Sequence, residues 1–216
     1  KQKIWYNIFK RSKFIEAIYE KDKKKIIDFY NEQGYRDAKI AFDTVYRGID
    51  SLVQIDMRIE EGVKYYFRNI SWIGNTKYPS ELLSTVLGIK RGDIYDETML
   101  NKRLRGEQDA VSTLYLDQGY LFFNVTPVEV KVENDSIDLE MRIYEGKQAR
   151  INRVLILGNT KTHDHVIRRE LKTMPGELFS QTTVQRSIRE LATLGYFDPE
   201  KLNIIPKPNP VDGTVD

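Results

Sequence analysis

The sequence predicts an α+β array of tandem β-α-α-β-β modules, each a three-stranded mixed sheet covered on one face by two helices. Three observations predict it. Trp72-Ile73-Gly74-Asn75-Thr76-Lys77 recurs as Ile156-Leu157-Gly158-Asn159-Thr160-Lys161, and the glycines of Arg91-Gly92-Asp93 and Pro175-Gly176-Glu177 stand at the same 84-residue spacing, as do Glu61-Gly62 and Glu145-Gly146. Gly-Tyr closes a helical pattern at Gly34-Tyr35, Gly119-Tyr120 and Gly195-Tyr196. Period-two alternation marks Ile137, Leu139, Met141 and Ile143, and again Val53, Ile55, Met57 and Ile59, as strands with one face buried and one wet.

The central copy reads in order. Residues 67–73 form a strand with apolar Phe67, Ile70 and Trp72, matched by Ile151, Val154 and Ile156. Gly74-Asn75 ends it, since both residues accept positive φ. A first helix follows with Pro79 at its start, His163 standing at the equivalent place, and Gly92 ends that region. Asp96 and Ser180 stand where a helix N-cap is wanted. The second helix is expected to run unbroken to Gly119, carrying Leu104, Val111, Leu114 and Tyr115 inward, as Tyr19, Ile26, Phe29 and Tyr30 are in the first copy. A strand over 121–132, a turn at Asn134-Asp135 and the alternating strand complete the module. The boundaries fall at 1–63, 64–147 and 148–216: a first module lacking its opening strand and most of its first helix, a complete one, and one truncated in its last strand. The array is expected to extend past both ends.

Composition narrows the function. With 34 basic and 32 acidic residues the net charge is only +2, which does not suit a protein that neutralises phosphates, so no nucleic-acid partner is expected. There is no cysteine, which excludes disulfides and thiolate metal sites. No apolar run approaches the roughly 18–20 residues of a spanning helix. His163 and His165, two apart at a helix start, are expected to diverge rather than share a metal. The Gly-Asn-Thr corners carry one glycine each, too few for a phosphate loop, and Arg91-Gly92-Asp93 reads as an interhelix turn. Lys21, Lys23, Lys24 and Lys25 read as a solvated helix face. No nucleophile, base and orienting group fall in a pattern that suggests catalysis, so no enzyme activity and no cofactor are expected.

The strand after each Gly-Tyr remains. Pro127 lies in the second of these, and Pro206, Pro208 and Pro210 gather by the third. Proline cannot donate to a ladder and belongs at sheet edges or strand ends, so residues 36–46, 121–132 and 197–205 are expected to be edge strands. The first has no proline and is the most open to an added strand. The expected protein-binding residues are Lys39, Ile40, Ala41, Phe42, Asp43, Thr44 and Val45, then Leu121, Phe122, Phe123, Asn124, Val125 and Thr126.

The order strand, Gly-Asn-Thr, helix, Gly turn, helix, Gly-Tyr, strand, strand, Glu-Gly resembles the POTRA (polypeptide-transport-associated) repeat. Gly158 to Thr162, Val166 to Leu171, Pro175-Gly176 and Leu194 to Phe197 are similar to the last POTRA domain of the BamA family of outer-membrane β-barrel assembly proteins. The longer second helix of the central copy resembles the penultimate domain, and Phe29 to Ala38 the one before it. The resemblance implies the periplasmic portion of an outer-membrane protein, a scaffold without catalysis. Its implied partners are unfolded outer-membrane β-barrel proteins, accessory assembly lipoproteins and its own C-terminal membrane barrel, absent from this sequence. It further implies that the strand after Gly-Tyr is the edge used for β-augmentation. The arm of a two-partner secretion or translocation-assembly transporter is the alternative within the same family.

Overall fold

A computed structural model of the chain describes residues 14–48, 52–106, 109–209 and 211–216. The expected first thirteen residues of the first module, and Pro210, lie outside them. The first module comprises helix α1 (Glu16–Glu32) and strands β1 (Lys39–Arg47) and β2 (Val53–Glu60), paired antiparallel. The second comprises β3 (Tyr66–Ile73), α2 (Ser80–Leu87), α3 (Glu97–Asn101), α4 (Val111–Leu116), β4 (Asn124–Glu133) and β5 (Ser136–Tyr144). The third comprises β6 (Arg150–Ile151), α5 (Asp164–Glu170), α6 (Gln181–Thr193), β7 (Pro208–Asn209) and β8 (Thr214–Val215).

The second module shows the full plan. Its sheet order is β3-β5-β4, with β5 central, parallel to β3 and antiparallel to β4. A two-residue turn with Asn134 at φ 55° joins β4 to β5, as Asn and Asp allow. Ile137, Leu139, Met141 and Ile143 are buried, and so are Phe67 and Trp72 of β3. The helices close over them with Leu83, Leu87, Leu100, Leu104, Val111 and Tyr115. The Asp96 and Ser180 side chains cap their helices, accepting from Met99 and Thr183 N–H. Pro79 and His163 are the extended residues immediately before α2 and α5.

Three expectations are corrected. The second helix of the central module is not continuous: after α3 the backbone widens into a π-helical turn over Lys102–Gly106, and α4 starts afresh at Val111. A π turn takes in extra residues, so Leu104, Val111 and Tyr115 all face inward although the helix between them is broken. In the first module Phe29 is 59% exposed, and Ile55 on β2 is 45% exposed, because α1 alone lies over that sheet face among the described residues. The third module's opening strand is only two residues long, since β8 reaches it only at Arg150 and Ile151. Residues 152–157 carry no strand pairing.

The repeat is clearest in its corners. Phe67 donates its N–H to the Asp93 carbonyl and accepts from Gly92 N–H; Ile151, Glu177 and Gly176 repeat both bonds. At the other end of the strand the copies part. A Cβ on Gly74 would lie 2.2 Å from the Ile143 carbonyl oxygen, whereas one on Gly158 would meet nothing within 4 Å. Both glycines have positive φ, +87° and +83°. Gly74→Ala is therefore expected to cost about 3 kcal/mol, backbone strain plus a backbone clash, and Gly158→Ala only about 1 kcal/mol. Urea unfolding of the two variants, followed by amide exchange within each module, checks the order; equal losses would contradict it.

Candidate functional site

β1 pairs with β2 alone among the described residues. Which of its groups face outward follows from the hairpin. Gly48 N–H donates to the Leu52 carbonyl, and opposed residues in an antiparallel pair alternate between bonding each other and pointing away. By the register Arg47↔Val53, Val45↔Ile55 and Asp43↔Met57, the residues that turn N–H and C=O to the open side are Asp43, Val45 and Arg47. A bulge at Ala41, between Ile40 and Phe42, shifts the register toward Lys39. The expected residues Lys39 to Val45 thus all lie on this edge. Tyr19 Oη and Lys23 Nζ of α1 reach the Asp43 carboxylate at 3.3 and 3.0 Å, and the Lys23 bond holds that carboxyl below its ordinary pKa. Lys23 is therefore engaged rather than part of an idle basic face.

β4 is the corresponding edge of the second module and is less open. The same counting from the Glu133↔Ser136 pair turns Val125, Pro127 and Glu129 outward. Arg105 Nη2 donates to the outward Val125 carbonyl and, at 3.1 Å, to Asn124 Oδ1. Pro127 has no N–H to offer. Val130 bulges out of register, and the Glu129 carboxylate is claimed by Arg36. Asn124, Val125 and Thr126 lie on this partly capped edge. Leu121, Phe122 and Phe123 do not: they form a turn before the strand. Phe123 stacks on Tyr115 at 4.1 Å, Leu121 packs into the core of the third module, and Phe122 lies against Gly146. Their apolar character serves packing and not the edge. In the third module the expected edge over 197–205 is a loop. Asp198 bonds the N–H groups of Glu200, Lys201 and Leu202 in a turn, and pairing resumes only at β7.

The sequence gives no sign of the joints between modules, which are built by contacts far apart in the chain. The Gly34 carbonyl accepts from Tyr65 N–H at 2.9 Å, and the Gly119 carbonyl accepts from Ala149 N–H at 2.7 Å. A Cβ on Gly34 would stand 2.7 Å from Ile94, and one on Gly119 3.2 Å from Leu178, so the Gly-Tyr glycines admit the next module. At the first joint Arg36 Nη1 spans both Glu129 oxygens at 2.8 and 2.9 Å, and its guanidinium lies 5.5 and 5.8 Å from the Tyr65 and Tyr95 rings. Tyr95 Oη also donates to Glu129. At the second, the Asp117 carboxylate accepts from Ser180 Oγ, Thr182 N–H and Thr182 Oγ1 at 3.0, 2.7 and 2.7 Å. These partners are 93 and 63–65 residues apart, and no local signal links them.

The histidines differ from expectation. His163 precedes α5 rather than lying in it, so the His163 and His165 rings stack at 5.6 Å instead of diverging. No cluster of three or more metal-ligating side chains occurs among the described residues, and no helix there is long and apolar enough to cross a membrane.

The model of the POTRA family, described as a surface antigen variable number repeat, matches residues 65–146 and 149–216. The outer membrane protein assembly factor BamA of Neisseria meningitidis serogroup B is 29% identical over 207 residues, 94% of this chain and 25% of that protein. The protein of the same name from Neorickettsia risticii is 29% identical over 183 residues, 83% of this chain and 24% of that one. The chain spans about a quarter of the length of these relatives. The crystal structure of POTRA domains 3–5 of Haemophilus influenzae BamA matches with a TM-score of 0.74 at 23% identity, covering 95% of this chain and 80% of that one.

The Arg36–Glu129 contact is expected to couple the first two modules. A double-mutant cycle on Arg36→Ala and Glu129→Ala should give a coupling of about 1 kcal/mol in urea unfolding, since both side chains are about one-third exposed. It should also loosen the joint, read as faster exchange of Tyr65 N–H. Additive losses would mean the pair does not hold the joint.

Proposed function

The chain belongs to the POTRA family, and from that premise we propose that it is a periplasmic scaffold of the outer-membrane protein assembly machinery that holds extended segments of unfolded barrel precursors as added strands on β1. The observation that carries this reading is the open backbone of β1: Asp43, Val45 and Arg47 turn their donors and acceptors away from β2, with no competing partner among the described residues. Exposed Phe42 and Val45 lie on this edge strand and can take apolar side chains from a guest. The names of the BamA relatives support the assignment to outer-membrane assembly.

Such binding needs no catalytic group. Main-chain hydrogen bonds ask little of the guest's sequence, which suits a scaffold handling many unfolded barrels. Each contributes about 0.5–1.5 kcal/mol net, so four to six, set against the ordering of a flexible guest, give affinities of roughly micromolar to millimolar. The partly capped β4, with Asn124 to Thr126 at its start, is a weaker second acceptor. Accessory assembly lipoproteins and the protein's own membrane barrel are the other partners of this reading, the former docking on the same exposed edges.

Val45 separates the backbone from the side chain. Val45→Pro removes an outward donor without breaking the β1–β2 ladder, whereas Val45→Ala removes only apolar area. Titration with a strand peptide from an outer-membrane β-barrel should show Val45→Pro weakening binding about tenfold or more and Val45→Ala about twofold. Equal affinity of Val45→Pro and the unchanged chain, with the hairpin intact by NMR, would overturn the reading.

A further inference from the structure

The first half of the β4 edge is short of groups for a guest strand, for two reasons of different kind. The register turns Val125 and Pro127 outward, but Pro127 has no N–H and the Arg105 guanidinium holds the Val125 carbonyl. The Val125 N–H and the Pro127 carbonyl are what remain. The proline is a permanent protection of the edge, whereas an arginine side chain can be moved off it.

Arg105 stands in the π-helical turn Lys102–Gly106 with a second arginine that has another task. Arg103 donates to the Leu87 and Val86 carbonyls at 3.0 and 3.1 Å, closing the end of α2, and pairs with the Asp109 carboxylate at 3.0 Å. Arg105 closes no helix. Its Nη2 rests on the Val125 carbonyl and on Asn124 Oδ1, both neutral, and among the described residues no Asp or Glu pairs with it. Arg105 is also exposed, within reach of an incoming chain. A carboxylate would offer this guanidinium a charge partner and a matching two-pronged geometry that neither neutral oxygen supplies. The exchange would leave nothing unpaired. The freed Val125 carbonyl accepts from an N–H of the added strand, and the exposed Asn124 side chain returns to water.

Geometry also fixes where the carboxylate must sit. Val125 stands at the start of β4, and antiparallel pairing is the more stable mode, so a guest brings its C-terminal end to Arg105. We propose that Arg105 is a displaceable cover that selects the guests of β4: an extended strand gains this edge when an acidic side chain near its C-terminal end draws Arg105 off the Val125 carbonyl. The ligand class is an alternating segment with Glu or Asp close to that end; a neutral strand meets an edge still covered. The proposal rests on the strand-holding function proposed for β1, but it concerns a different edge and can fail without it.

The test is an amide NMR titration of the 216-residue chain and its Arg105→Ala variant with the amide-capped peptide Thr-Val-Thr-Val-Thr-Val-Glu-Thr and its Glu-to-Gln counterpart. In the unchanged chain the Glu peptide should shift Val125 and Thr126 at about threefold to fivefold lower concentration than the Gln peptide, a preference that shrinks in high salt. In Arg105→Ala the two peptides should bind β4 alike, and the Gln peptide at least about threefold more tightly than to the unchanged chain. A Glu preference that survives Arg105→Ala, or a Gln peptide that gains nothing from it, would overturn the proposal. Asn124→Ala, which removes one anchor of Arg105 at an exposed position, gives a second reading should Arg105→Ala not fold. Both peptides should then bind β4 about twofold more tightly with the Glu preference kept, and unchanged affinity would overturn the cover. Shifts at β1 with none at β4 in any chain would overturn this proposal and leave the reading of β1 standing. Shifts at β4 alone would do the reverse, and none at millimolar peptide would overturn both.

Discussion

The array is organised by one backbone hydrogen bond made twice: the carbonyl of a Gly-Tyr glycine receives the N–H of the residue that opens the next module. The bond requires the incoming chain to pass against that glycine, and the space shows it, since a Cβ at Gly34 would press into Ile94 and one at Gly119 against Leu178. The side chains around it differ between the two joints. Arg36, Glu129 and two tyrosine rings surround the first, while Asp117 and the start of α6 surround the second. The backbone contact is thus the common element, and the side chains fit each joint to its own pair of modules.

Fixing the joints also decides which edges are available. Arg36, by reaching Glu129, lies against β4 near its bulge, and Arg105 closes the other end of that strand. On β1 Lys23 and Tyr19 hold the Asp43 carboxylate, but among the described residues no side chain bonds an outward backbone group as Arg105 does on β4. A sheet edge is a hazard for a protein that must not aggregate and an asset for one that must hold extended chains. On the proposed reading, the contrast between a partly capped β4 and an open β1 places pairing with a guest strand on the first module.

Much of this was legible in the sequence because it rests on local rules. Alternation placed Ile137 to Ile143 on one buried face, and the caps at Asp96 and Ser180 form as their residue types suggest. Pro127 correctly marked an outward position on an edge strand, since the register turns that residue away from β5. What was not legible depended on distance or on the absence of a neighbour. The π turn at Lys102–Gly106 conceals a helix break because Leu104 and Tyr115 stay in phase. Leu121 to Phe123 look like a strand by composition, yet packing against Tyr115, the third module's core and Gly146 draws them into a turn. Exposed Phe29 and the unpaired stretch 152–157 have the pattern of buried elements but lack the partner that would bury them.

The claim on which the functional account stands is that alternate amides of β1 are unbonded until a guest arrives. Residue-resolved hydrogen exchange measures it. In the free chain Asp43, Val45 and Arg47 should exchange rapidly and Phe42, Thr44 and Tyr46 slowly; a bound barrel-strand peptide should slow the first set and leave the second unchanged. Protection of both sets without a guest, or a guest that slows neither, would contradict it.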